Sequence, residues 1–230
     1  LGPVSPDEIR DVPVADLTPG LNVIAYFTAE SGVGQAARLI LDGIQAAGIP
    51  HATVTYDRIP GRAGFRFTPG RDDAPGFDTN LICINADQIL AANHWLGERL
   101  RSHRYRIGLW WWETETFPEE FDESFTVVDE VWVGSDFVAE AIRQRTHKPV
   151  TVIPMPVVVP EPNGMGRSAA GVTQDTFLVL YAFDFNSVLE RKNPQAAIEA
   201  YRRAFSEDDG TTLLLKSING DQHLEALEAL

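Results

Sequence analysis

The sequence predicts an α/β protein: a Rossmann-like parallel sheet with helices on both faces, followed by part of a second unit of the same kind. Three observations lead there. Apolar runs rich in β-formers alternate with segments of helical period, the links between them are mostly short, and a proline-rich stretch at residues 154–162 interrupts the alternation, which then restarts. Alternation of this kind marks a parallel sheet, because parallel strands need crossovers and the crossovers lay helices on the sheet faces.

Residues 1–20 carry four prolines and several acids without a clear period, and read as an extended lead-in. The first strand is expected over Leu21–Thr28. The first helix is expected over Val33–Ala47, where Ala36, Leu39, Ile40, Ile44 and Ala47 recur at three- and four-residue spacing. Gly48 then stands where a helix end favours a left-handed residue. A strand over Ala52–Tyr56 precedes a Gly-, Pro-, Arg- and Asp-rich surface loop between Arg58 and Phe77.

The pattern continues with strand Thr79–Ile84, helix Ile89–Arg101, strand Tyr105–Trp112, helix Glu119–Val127, strand Glu130–Gly134, helix Phe137–Arg145 and strand Val150–Ile153. Ser135 is a good N-cap for the helix that follows it. Four prolines within residues 154–162 exclude a helix and predict a stiff linker over 154–170. Beyond it come strand Phe177–Phe183, a helix over Pro194–Phe205 with Asn193 as N-cap, strand Thr211–Lys216 and a helical tail ending at Leu230. The expected division is therefore 1–20 lead-in, 21–153 first lobe, 154–170 linker and 171–230 the first part of a second lobe. Two strands and two helices are too few to close a doubly wound unit, so that lobe reads as truncated.

Composition narrows the functional classes. The chain has 33 Asp and Glu against 19 Lys and Arg, a formal net charge of −14, and its cations are scattered. A nucleic-acid groove needs a cationic face, so no nucleic-acid partner is expected. The single cysteine, Cys83, lies in the apolar run Leu81-Ile82-Cys83-Ile84, which fits a reducing compartment. No run of about 18 apolar residues occurs. The expected location is cytoplasmic.

Polar groups collect where strands are expected to end. Gly32-Val33-Gly34 follows the first strand and opens the first helix, so backbone N–H groups and the helix dipole favour an anion there. With Gln35-Ala36-Ala37 the run matches a permissive dinucleotide pattern. Nicotinamide binding, with Asp57 as the ribose acid, is one reading, and close helix–strand packing is another. Asn85 and Asp87 follow the third strand and suit a polyhydroxylated ligand, or equally an Asx turn and N-cap. Trp110-Trp111-Trp112 puts at least two rings in the core, while Glu113 and Glu115 emerge at the strand's carboxyl end, as hydroxyl acceptors or as solvated or capping acids. Arg191 and Lys192 stand just before a helix N-terminus, poorly placed for the helix and well placed for a diphosphate, with pairing to Glu190 or Asp184 as the alternative. No histidine spacing suggests a metal, and no G-x-S-x-G, H-E-x-x-H or Walker sequence occurs.

These residues, in this order, resemble a known family. Glu30-Ser31-Gly32-Val33-Gly34-Gln35-Ala36-Ala37-Arg38, Ile84-Asn85-Ala86-Asp87-Gln88, Trp112-Glu113-Thr114-Glu115-Thr116-Phe117-Pro118, Asp129 through Val138, Val152 through Val157, Phe183 through Ser187, and Glu190-Arg191-Lys192-Asn193-Pro194 are similar to the bacterial GT-B glycosyltransferases. The retaining family-four enzymes of cell-surface polysaccharide synthesis are the nearest group. The resemblance implies two Rossmann-like lobes across a cleft, the first for a saccharide or lipid-linked acceptor and the second for a nucleotide-sugar donor.

It further implies that Gly32, Val33 and Gly34 lie near the donor diphosphate, that Lys192 with Arg191 neutralises that diphosphate as it leaves, and that Asn85, Asp87, Glu113 and Glu115 serve the acceptor or sugar. Glu113 stands roughly where the family often has a histidine, which makes Glu113, Arg191 and Lys192 the candidate catalytic residues. The activity implied is hexosyl transfer with no metal and no cofactor besides the donor substrate. A lipid-linked acceptor would bring the protein to a membrane surface. The family's E-x7-E carboxylates have no counterpart before Leu230. The alternative is a non-catalytic Rossmann-like module that binds a carbohydrate or nucleotide.

Overall fold

A computed structural model describes residues 13–56, 58, 62–68, 76–159, 161–187 and 189–230, without the side chains at 99 and 100. The chain divides into two compact units, the first ending at Val158 and the second running from Val159 to Leu230.

In the first unit six parallel strands form one sheet: β1 (Thr18–Ala25), β2 (His51–Thr55), β3 (Phe77–Cys83), β4 (Tyr105–Trp110), β5 (Glu130–Val133) and β6 (Val150–Val152). Their spatial order is β2-β1-β3-β4-β5-β6. Three helices connect them: α1 (Gly32–Ala46), α2 (Ala86–Arg101) and α3 (Asp136–Arg143). This is an α/β fold of Rossmann-like type, as the strand–helix alternation predicts.

Side chains that alternate along the strands feed two separate cores. Val23, Ala25 and Phe27 pack with Leu81, Cys83, Ile107 and Leu109 under Ala37, Ile40, Leu41 and Ile44 of α1. Ile24, Tyr26, Ile82, Ile84 and Trp110 pack on the other face with Ile89, Ala92 and Leu96 of α2 and Val138, Ala139 and Ile142 of α3. Both faces are thereby covered, which is why the inner strands are apolar without a polar face. Asn22 and Asn80 are the buried exception. Asn22 Nδ2 donates to Asn80 Oδ1 at 2.8 Å and to the Phe77 carbonyl at 2.9 Å, fixing the β1–β3 register far from the carboxyl edge.

Several boundaries differ from expectation. The described part of the lead-in holds a 3-10 turn at Val14–Asp16, and β1 starts at Thr18. Pro19-Gly20 hides that start, because it forms the irregularity between Thr18 and Leu21 where β1 meets β3. β1 also stops at Ala25, and a turn follows in which Ala29 N–H donates to the Tyr26 carbonyl at 3.1 Å. The α-helix expected over Glu119–Val127 is a 3-10 helix. Thr126 Oγ1 donates to the Glu123 carbonyl at 2.6 Å, a local bond that competes with regular helical bonding, while Ser124 Oγ ties the segment to the Ala86 carbonyl at 2.6 Å.

Residues 62–68 of the expected surface loop are partly packed. Phe67 stacks on Phe27 with centroids 4.3 Å apart, and Phe65 N–H and Glu30 N–H bond the Thr28 and Arg62 carbonyls. β4 ends at Trp110, which is 1% exposed, while Trp111 and Trp112 are half-buried against the two opposite cores.

The second unit holds two parallel strands, β7 (Phe177–Asp184) and β8 (Thr211–Ile218), with helices α4 (Leu189–Lys192), α5 (Pro194–Ala204) and α6 (Leu224–Glu228). Among the described residues no helix is long and apolar enough to cross a membrane.

Candidate functional site

The strand order reverses at β1. The chain leaves β1 through α1 to β2 on one side, then returns to place β3 on the other. Ligands of open α/β sheets bind at such a switch point, in the crevice outside the strands' carboxyl ends. Gly32-Val33-Gly34 follows β1 and Asn85-Ala86-Asp87 follows β3, so two helices begin at this edge.

The glycines have different roles. A Cβ on Gly34 would lie 2.6 Å from the Ala29 carbonyl oxygen and 2.9 Å from that of Tyr26, so Gly34 is required for α1 to approach the β1 loop. A Cβ on Gly32 would meet open space. The Ser31 hydroxyl accepts from Gly34 N–H at 3.2 Å, and Gln35 N–H bonds the Ser31 carbonyl at 2.9 Å. The N–H groups of Gly32 and Val33 therefore remain unpaired among the described residues, and the Val33 side chain packs on the α2-side core. Arg38, one turn on, spans the same loop: it donates to the carbonyls of Phe27 at 2.8 Å and Ala29 at 3.0 Å beneath the Phe65 ring. Desolvation lowers its pKa. Asp57, the ribose acid of the dinucleotide reading, lies outside the described residues.

Asn85 begins α2 without capping it through its side chain. Its Oδ1 instead accepts from Trp111 N–H at 2.9 Å, tying the end of β3 to the end of β4. Asp87 is exposed in the first turn of α2, where a carboxylate suits the helix dipole.

Glu113 and Glu115 are exposed in the turn after β4. That turn is braced by Trp112 Nε1, which donates to Thr114 Oγ1 and to the Thr116 carbonyl, each at 2.8 Å. Gln144 of the α3 C-terminus donates to the Glu115 carbonyl at 3.4 Å. The first unit thus gathers Gly32, Val33, Asn85, Asp87, Glu113 and Glu115 along one sheet edge.

In the second unit, Arg191 and Lys192 stand just before α5, as expected, and themselves form the last turn of α4. A single-turn helix was hidden because Leu189-Glu190-Arg191-Lys192 is too short for a period. Arg191 is exposed and Lys192 half-buried, and the Tyr181 hydroxyl donates to the Lys192 carbonyl. Cations at a helix C-terminus are favourably placed, so local helix stability accounts for part of their position. Asn193 then caps α5, its side chain accepting from Ala196 N–H at 3.2 Å.

The carboxyl ends of β7 and β8 carry a network that the sequence reading did not assemble. Asp184 Oδ1 accepts from Asn219 Nδ2 at 2.7 Å and from Asn186 N–H at 2.9 Å, and Asn186 Oδ1 meets His223 Nε2 at 2.8 Å. The Asn219-Gly220 dipeptide was its one sequence signal, a turn pair with Asn219 at φ 64°. Among the described residues no group of three or more His, Cys, Asp or Glu could hold a metal ion.

No protein-family model and no curated protein sequence matches the chain.

Proposed function

We propose that the protein is a glycosyltransferase, or part of one, that moves a sugar from a nucleotide-sugar donor to a saccharide or lipid-linked acceptor. The observation that carries this reading is the switch-point edge of the first unit. There the N–H groups of Gly32 and Val33, unpaired among the described residues, share the carboxyl edge of the sheet with Asn85 and Asp87 after β3 and Glu113 and Glu115 after β4. Amide and carboxylate acceptors suit hydroxylated ligands, and free N–H groups at a helix start suit a phosphoryl oxygen. In the second unit the Arg191 and Lys192 cations at the carboxyl side of β7 are the groups to stabilise a departing diphosphate. Glu113 would accept a proton or hydrogen bond from the acceptor hydroxyl. The reaction belongs in the cytoplasm, where nucleotide-sugars are made, with a lipid-linked acceptor drawing the protein to the membrane surface.

Transfer assays on Glu113→Gln test the reading. The expected result is a fall of about 100-fold or more in kcat with an unchanged melting temperature, as for loss of a group acting in the transition state. Normal specific activity with a lower melting temperature would make Glu113 a structural residue and remove it from the site.

A further inference from the structure

Residues 62–68, which come after β2, lie against the segment that joins β1 to α1. Phe67 stacks on Phe27, with their planes 8° from parallel. Phe65 N–H donates to the Thr28 carbonyl at 3.2 Å, and the Phe65 ring centroid lies 3.9 Å from the Arg38 guanidinium. The remaining contacts converge on Glu30. Its N–H donates to the Arg62 carbonyl at 2.9 Å, and its Oε2 pairs with Arg62 Nε at 3.3 Å. Its Oε1 occupies the place that a side chain at residue 64 would take, since a Cβ on Gly64 would lie 2.2 Å from it. Arg62 and Gly64 thus form a seat for one carboxylate.

Glu30 is also the acid nearest in sequence to the start of α1, two residues before Gly32. The N–H groups of Gly32 and Val33, unpaired among the described residues, favour an anion, and a carboxylate of the chain itself would serve. The seat is lightly held. The side chains of Arg62 and Glu30 are 53% and 36% exposed, and within residues 62–68 only Phe67 is half-buried. A segment with so little buried area and an exposed ion pair opens far more readily than the sheet beneath it unfolds.

We propose that residues 62–68 are a strap whose Arg62–Gly64 seat holds the Glu30 carboxylate off the start of α1, and that opening the strap makes Glu30 a competitor of phosphoryl ligands for the Gly32 and Val33 N–H groups. Closed, the strap leaves those groups to the ligand and offsets a negative charge that would repel it. This rests on the phosphoryl site of the glycosyl-transfer reading and adds a regulation of that site.

The variant Gly64→Ala tests it, because its methyl group meets only the far end of the flexible Glu30 side chain and so displaces the carboxylate while the fold is kept. Trypsin cleavage between Arg66 and Phe67 in the native protein reads strap opening, and calorimetric titration with inorganic pyrophosphate reads the site. Gly64→Ala is expected to be cleaved about fivefold faster and to bind pyrophosphate about fivefold more weakly, as befits loss of an exposed pair, with an unchanged melting temperature. Adding Glu30→Gln to Gly64→Ala should restore pyrophosphate affinity, because the competing charge is gone. Unchanged cleavage or equal pyrophosphate affinity in Gly64→Ala would overturn the proposal while leaving the phosphoryl site intact, as would a loss of affinity that persists in the double variant. Failure of the unaltered protein to bind pyrophosphate would overturn both.

Discussion

Gly32 and Gly34 stand two residues apart and differ in what a methyl group would meet. Alanine at Gly34 must push its Cβ into two backbone carbonyls, and backbone cannot yield as a flexible side chain can. Gly34→Ala is expected to destabilise the first unit by about 2 kcal/mol or more, read by chemical denaturation, whereas Gly32→Ala leaves stability within about 0.5 kcal/mol. On the glycosyl-transfer reading Gly32→Ala would still weaken binding of a nucleoside diphosphate, because it crowds open space above the helix start. The sequence displays both glycines as one motif and cannot separate them, since the distinction depends on which carbonyls the folded loop turns toward α1. Asn85 teaches the same point. Cap and ligand contact are both sensible readings of an Asn before a helix, yet its Oδ1 holds Trp111, a residue 26 positions away. Asn85→Ala should cost about 1–2 kcal/mol by leaving that N–H unpaired.

At the scale of elements, strands and helices were legible wherever one period ran for a turn or more, as along α1, and their ends were not. β1 begins inside a Pro-Gly bulge, and the single turn α4 has no period to read. Gly97 is a further hidden feature: it takes φ 66° and ψ 175° within α2 and kinks the helix. Gly97→Ala, which in a straight helix would stabilise, is therefore expected to destabilise by about 1 kcal/mol, measured as a lower melting temperature.

The β4–β5 junction carries a pH dependence. Asp129 accepts from Arg106 Nε at 2.9 Å and Nη2 at 2.8 Å and from its backbone N–H at 2.9 Å. The Arg106 side chain is the main reason the Asp129 carboxyl sits below its usual range. A depressed folded-state pKa contributes stability above the unfolded value, about 3.9, and that contribution is lost as pH falls through the lower folded value. Acid unfolding of Asp129→Asn should accordingly be less steep below about pH 4 than that of the unaltered protein.

For the whole molecule, alternation of strands and helices was enough to anticipate a parallel sheet with both faces covered, because each crossover dictates where its helix lies. The strand order, and with it the switch point between β1 and β3, was not legible: no local pattern records which side of β1 the chain takes after β2. The net charge of −14 makes the Arg191 and Lys192 cations stand out. A chain so acidic would repel a free diphosphate unless local cations held it.

The most direct test of the account is calorimetric titration of the protein with a panel of nucleoside diphosphate sugars, repeated on Lys192→Ala. A glycosyltransferase with Lys192 at the donor diphosphate should bind at least one donor saturably, with affinity weakened about tenfold or more by the loss of the Lys192 charge. No saturable binding across the panel, or equal affinity in the variant, would contradict that assignment.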